Sequence, residues 1–229
     1  HSFPTRRSSD LFGVTPLAHL TCVSSDRERI EAELSSLREL GIENILALRG
    51  DIPEGFDRTQ SHYRHASELV AEIASFGGFC IGGACYPEGH PESANSNADI
   101  EGLRRKVEAG CEFLTTQMFF DNNILYNFLY RLYRAGIRIP VVAGVMPVTN
   151  ASQIKRLCSI SSSALPQRFI RIVDRYGDDP AAMKQAGIAF ATEQIIDLYA
   201  NGINAVHVYS MNKPEVAAAI KANLSEILK

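Results

Sequence analysis

Residues 79–90 read FCIGGACYPEGH, and this stretch decides the fold class. From Phe79 to Tyr86 the chain is apolar continuously rather than alternately, which is how a strand covered on both faces of a parallel sheet reads. It then breaks into Pro87, Glu88, Gly89 and His90, residues that end a strand and start a loop. The glycines of GFCIGG at 78–83 lack the spacing of a dinucleotide-binding turn. They lie inside the strand, where glycine more often permits close packing than phosphate binding.

The same rhythm recurs on both sides. Strands are expected at LAHLTC (17–22), NILAL (44–48), FLTTQMF (113–119), PVVAGV (140–145) and NAVHVY (204–209), giving six in all. Amphipathic stretches separate them. After Ser25, Ile30, Leu34, Leu37 and Leu40 share one helical face until Gly41 stops the helix, and Ser25 with Glu28 fits a capping box. Further helices are expected over about 62–76, 97–109, 122–135, 150–160 and 180–201, with a last one opened by Asn212, Pro214 and Glu215. The long interval between the fifth and sixth strands is expected to hold extra helices. Strict alternation of strand and helix leaves an open doubly wound sheet or a (β/α)8 barrel.

Composition narrows the function classes. The chain has 229 residues, 45% hydrophobic and 21% charged, with a formal net charge of -3, values ordinary for a single globular domain. No basic field would draw nucleic acid or an anionic membrane, so a small-molecule partner is favoured. No apolar run approaches the roughly 18 residues of a membrane helix, and the N-terminus lacks the apolar core of a secretory signal, so a soluble, cytoplasmic protein is expected. The cysteines, Cys22, Cys80, Cys85, Cys111 and Cys158, show no metal spacing. Cys80 and Cys85 are five apart on one strand and point to opposite faces, so reduced thiols are expected. Residues 1–11, HSFPTRRSSDL, carry no periodicity and read as foreign to a domain spanning 12–229.

Each strand delivers polar chemistry to its end: His19; then Arg49, Gly50 and Asp51; then Tyr86, Glu88 and His90; then Gln117; then Asn150; then Tyr209 and Asn212. In a barrel such groups gather on the C-terminal rim, which is where function sits. Arg49 and Asp51 can face one ligand as donor fork and acceptor, or form a local salt bridge. Tyr86 and His90 bracket a Pro-rich loop and offer an aromatic plate and a donor, or a structural turn. Arg105 and Lys106, with Asp99 a turn or two earlier, can hold a pyrophosphate, or belong to a solvated helix face.

ALRGD at 47–51, YPEGHP at 86–91, Asp99 with Arg105 and Lys106, TQMFFD at 116–121 and GVMPVTN at 144–150 occur together and in order. That ordered set resembles the bacterial type of methylenetetrahydrofolate reductase, and AHLTC (18–22) and HVYSMN (207–212) extend the resemblance to roughly residues 14–222. The resemblance implies a (β/α)8 TIM barrel of which six parallel strands are visible here. The first two βα units, on the order of 60 to 70 residues, are lacking. The family's FEFFPP-like first strand, whose Glu is the expected general acid, lies in that part, so the chain by itself is expected to be inactive.

The resemblance further implies FAD as cofactor. His19, Arg49, Gly50, Asp51, Ala84, Tyr86 and His90 would surround its ring, ribityl and adenosine parts, and Asp99, Arg105 and Lys106 its phosphates and sugar. Gln117, Gln153, Tyr209 and Lys213 would contact folate, with Asp51 between flavin and pterin as the catalytic carboxylate. Family members usually carry Arg where this chain has Lys213, which keeps the charge and loses the bidentate fork. The implied reaction is a ping-pong hydride transfer from NADH or NADPH to 5,10-methylenetetrahydrofolate, serving one-carbon metabolism and methionine biosynthesis, by an enzyme that is homo-oligomeric when intact. Two rival readings remain: a flavin-binding barrel acting on another amine or imine, such as a proline oxidase, and a non-catalytic barrel fragment.

Overall fold

The computed structural model describes residues 13–229 except 53, 54, 56, 58–60, 153 and 155–162. In chain order its elements are β1 (Leu17–Thr21), α1 (Arg27–Glu39), β2 (Asn44–Leu48), α2 (Ala66–Phe76), β3 (Cys80–Cys85), α3 (Ser96–Glu108), β4 (Phe113–Thr116), α4 (Asn122–Arg134), β5 (Val141–Val145), α5 (Gln167–Tyr176), α6 (Pro180–Ala200), β6 (Val206–Val208) and α7 (Pro214–Asn223). All six expected strands are present. They are parallel and lie in sequence order in a six-stranded sheet, with Leu17 opposite Asn44, Asn44 opposite Cys80, and Ala143 opposite Val206.

The chain divides into two compact units, one made of residues up to Ala84 with Asn97–Leu114 and Ile137–Pro140, the other of Cys85–Ser96, Thr115–Gly136 and Val141–Lys229. In the first, Ala18, Leu20, Ile45, Leu46, Ala47 and Ile81 from the strands are buried with Ile30, Leu34 and Leu37 of α1 and Leu69, Val70 and Ile73 of α2. In the second, Met118, Phe120, Met146, Val148, Ile154, Phe169, Met183 and Phe190 form one cluster. Phe169 is its centre, stacked on Phe120 at 5.4 Å and tilted against Phe190 at 4.7 Å.

Several boundaries differ from the expected ones, each for a local reason. The cap of α1 is Asp26, whose carboxylate accepts the Arg29 N–H at 2.9 Å, so the expected Ser25 cap is one residue early. Helix α2 starts at Ala66 rather than 62 because the Glu68 carboxylate accepts the N–H groups of Arg64 and His65. Strand β4 stops at Thr116, although Met118, Phe119 and Phe120 are as buried as a strand would be. Gln117 turns its side chain back so that Oε1 accepts the Met118 N–H at 3.0 Å, which takes the chain out of the ladder. The last helix begins at Pro214 with Lys213 as the preceding residue, because Met211 and Asn212 are both left-handed, at φ 51° and 58°. Of the helix expected at 150–160, most lies outside the described residues. The two helices α5 and α6 fill the rest of that interval, and Asp179 caps α6 through the N–H groups of Ala181 and Ala182.

Candidate functional site

In the first unit the chemistry sits at the ends of β2 and β3, whereas His19, expected at the end of β1, is the third of its five residues. His19 lies between the buried Ala18 and Leu20 with its own side chain on the other, more open face, and desolvation pulls its pKa below the usual histidine value. The imidazole is therefore neutral at pH 7, one nitrogen donating and the other accepting. Beyond β2, the Val23 N–H donates to the Arg49 carbonyl at 2.7 Å and the Cys22 N–H to the Leu48 carbonyl at 3.2 Å. These bonds bring the β1 exit against Gly50. Gly50 has φ 88°, and a Cβ there would lie 2.8 Å from Val23 Cγ1 and 3.1 Å from Thr21 Cβ, so both conformation and space demand glycine. Arg49 is half-buried on one side of this turn and Asp51 is exposed on the other.

Lys106 supplies the cation of the β3 end. Its stem crosses Gly83, where a Cβ would come within 2.5 Å of Lys106 Cδ, and its Nζ donates to the Ala84 carbonyl at 2.6 Å. Two residues expected at the cofactor, Ala84 and Lys106, are thus joined directly although far apart in sequence. Arg105 is exposed, about 100° round α3 from Lys106, so the two cations expected to act as neighbours diverge. Asp99, two turns before Lys106, is half-buried. Burial pushes the pKa of the Cys22 and Cys111 thiols up to about 11, and Cys22, Cys80 and Cys111 are not in disulfides. Neither Cys22 nor Cys111 is a thiolate nucleophile at neutral pH.

In the second unit the loop after β3 is built on a turn, with Gly89 N–H to Tyr86 O at 3.0 Å and Ser93 N–H to His90 O at 2.9 Å. Tyr86 and His90 meet edge to face at 4.6 Å. His90 Nδ1 accepts the Glu92 N–H at 3.1 Å, which places the ring proton of the neutral form on Nε2. Arg131 of α4 donates to the Pro87 carbonyl at 3.0 Å, tying the loop down.

Glu88 in the same loop accepts the Ala164 N–H on Oε2 at 2.9 Å, while its buried Oε1 has no partner among the described residues. Burial raises its pKa, the Ala164 N–H opposes that only in part, and the charge of Asp121 adds to it. A carboxyl whose pKa is raised by folding costs nothing well below the ordinary value of 4.5, where both states are protonated; the cost grows as the pH rises from 4.5 to the raised pKa and is complete above it. Glu88→Gln keeps an acceptor for Ala164 and removes the charge. Urea unfolding at pH 7 should therefore show it more stable than the parent, with the difference shrinking as the pH falls towards 4.5 and gone well below it. An unchanged difference at both pH values would contradict the assigned cause.

Gln117 follows β4, its N–H donating to the Cys85 carbonyl at 2.7 Å. The Tyr209 hydroxyl donates to the Thr116 carbonyl at 2.8 Å, and burial pushes its pKa to about 12, so it remains a donor throughout the physiological range. Lys213, half-buried before α7, donates from Nζ to Thr149 Oγ1 at 3.1 Å. Gln153 lies outside the described residues. Thr116, Thr149, Gly83 and Gly144 take part in these arrangements and were not singled out from sequence. Their signal there is slight: a threonine beside a candidate residue or a glycine in a strand, both with ordinary structural readings.

The family model described as methylenetetrahydrofolate reductase matches residues 5–225. This chain belongs to the methylenetetrahydrofolate reductase family. The NADH-type methylenetetrahydrofolate reductase 1 of Arabidopsis thaliana is 33% identical over 96% of this chain and 40% of its own length. The 5,10-methylenetetrahydrofolate reductase of Escherichia coli is 32% identical over 92% of this chain and 70% of its own. The chain thus spans about two fifths of the plant reductase and about two thirds of the bacterial one. Among solved structures, a Clostridium thermocellum protein described as binding two copies of 5-methyl-5,6,7,8-tetrahydrofolic acid superposes with a TM-score of 0.60. It is 13% identical, covers 99% of this chain and 78% of its own, and shares the fold with this reductase-family chain. No described helix is long and apolar enough to cross a membrane.

Proposed function

We propose that this chain carries FAD and folate sites of a reductase that converts 5,10-methylenetetrahydrofolate to 5-methyltetrahydrofolate at the expense of NADH or NADPH. The observation that carries the reading is the bond from Lys106 to Ala84, which brings a helix cation to the end of β3. Family membership gives that position its meaning.

The residues present fit FAD. An ammonium at a strand end, the guanidinium of Arg49 and an exposed Arg105 offer charge-assisted donors for a pyrophosphate. Gly50 makes the tight turn that carries Arg49 and Asp51, and His19 and the Tyr86–His90 pair add a neutral imidazole, an aromatic face and an Nε2 donor. Bound FAD would supply a two-electron carrier that accepts hydride from the nicotinamide and returns it to the folate. The chain's own part is to bind, orient and polarise. Gln117 and Lys213 would hold the folate, with Gln153 as a further contact. Opening the methylene bridge needs a proton at a folate nitrogen and leaves a cationic carbon, which the Asp51 carboxylate would stabilise. The localisation consistent with this reading is the cytoplasm, and the partners are small molecules and further copies of the same protein.

Titration of the purified protein with FAD tests the first half of this reading. Quenching of flavin fluorescence with saturation is expected, weakened about tenfold in Lys106→Met by loss of one charge-assisted contact. Protein that stays colourless after incubation with FAD and desalting would overturn it.

A further inference from the structure

We propose that Tyr209 is a positioning residue for Gln117, its hydroxyl fixing the peptide group that joins Thr116 to Gln117 and Gly144 leaving the space for it to do so. The proposal rests on the reading of Gln117 as a folate contact and adds the device that aims it.

The peptide group between Thr116 and Gln117 is held at both ends. Its N–H donates to the Cys85 carbonyl at 2.7 Å, and its C=O accepts the Tyr209 hydroxyl at 2.8 Å. The main-chain N–H that approaches Thr116 from β5, that of Gly144, goes instead to Thr116 Oγ1 at 2.8 Å. A side-chain hydroxyl has therefore taken an acceptor that a neighbouring strand would ordinarily fill. Thr116 is fully buried, so its carbonyl has no water to fall back on.

Tyr209 is itself rigid. Its N–H donates to the Val145 carbonyl at 2.9 Å, its ring meets His207 edge to face at 4.6 Å, and it packs on the cluster around Met146 and Val148. Gly144 is what lets the ring pass. A Cβ there would lie 2.4 Å from the Thr116 carbonyl oxygen and 2.7 Å from Tyr209 Cε2, in the space where hydroxyl and carbonyl meet. Gln117 then inherits its direction from this peptide. With Oε1 turned back onto the Met118 N–H, its amide nitrogen is the end left to face a ligand.

A merely structural tyrosine would act on stability without singling out Gln117. In Tyr209→Phe, hydrogen exchange of the Gln117 amide is expected to accelerate about tenfold, while that of Cys22, bonded to Leu48 in the other unit, keeps its parent rate. Gly144→Ala, with Tyr209 intact, should do the same by pushing the ring aside. Methylenetetrahydrofolate reduction by the intact reductase should fall about tenfold in Tyr209→Phe and fall no further when that change is added to Gln117→Ala. Unchanged Gln117 exchange in Tyr209→Phe, or independent losses in the double variant, would overturn the positioning role. Accelerated exchange with a Gln117→Ala variant of parental folate turnover would instead overturn the folate reading of Gln117 and leave its anchoring by Tyr209 supported.

Discussion

Asp51→Asn in the intact reductase is expected to slow methylenetetrahydrofolate reduction by about a hundredfold, while oxidation of NADH or NADPH with an artificial acceptor changes by no more than about threefold. Asp51 follows the Gly50 turn at the end of β2 and is exposed, so removing its charge leaves no buried group unpaired. Stability should scarcely change. The effect falls on the cationic folate carbon. Two unit charges about 4 Å apart at an effective dielectric near 20 interact by roughly 4 kcal/mol. At about 1.4 kcal/mol per tenfold in rate, the roughly two thirds of it left after desolvation amounts to about a hundredfold. Nicotinamide oxidation builds no such cation on folate, which is why the half-reactions should separate. Equal loss in both, measured by stopped-flow, would remove Asp51 from its role.

Gly187→Ala should lower stability by about 3 kcal/mol, or about 10 °C in Tm, against the ordinary preference of a helix. In the middle of a helix, alanine is favoured over glycine by about 1 kcal/mol, so propensity alone predicts a gain. The contact decides otherwise. Gly187 is buried in α6, and a Cβ there would lie 1.9 Å from the Val148 carbonyl oxygen and 2.7 Å from its carbon, both main-chain atoms that cannot swing away. Either α6 or residues 148–149 must shift. Because Thr149 is the partner of Lys213, the same substitution should weaken folate binding as well as the fold. A scan showing a raised Tm would mean that the close approach does not exist in solution.

Strand identity was legible because β2, β3 and β5 are buried with little alternation, and their apolar runs announced it. Boundaries were less legible. Met118 to Phe120 continue the apolar run past β4, yet the Gln117 side chain ends the ladder at Thr116, a hydrogen bond that periodicity cannot express. The capping box at Ser25 lost to Asp26 by one residue because both are good caps and only the incoming backbone chooses between them. At the site, residue types at strand ends were readable, since each follows an apolar run and precedes a loop. Their partners were not. Nothing in the sequence shows that Lys106 crosses Gly83 to reach Ala84, that Arg105 turns away from it, or that the Tyr209 hydroxyl is used on the main chain. Such pairings depend on which strands become neighbours, and a list of residues in order does not contain that.

In the intact reductase, electrons taken from a nicotinamide are expected to reach folate through the sites that this chain carries. An anaerobic experiment tests this: the FAD-loaded intact reductase is bleached with NADH or NADPH, freed of excess nicotinamide, and mixed with 5,10-methylenetetrahydrofolate. The visible flavin band should return as 5-methyltetrahydrofolate appears in equal amount. A band that stays bleached with folate yet returns with menadione would contradict the account and favour a flavoprotein acting on another substrate.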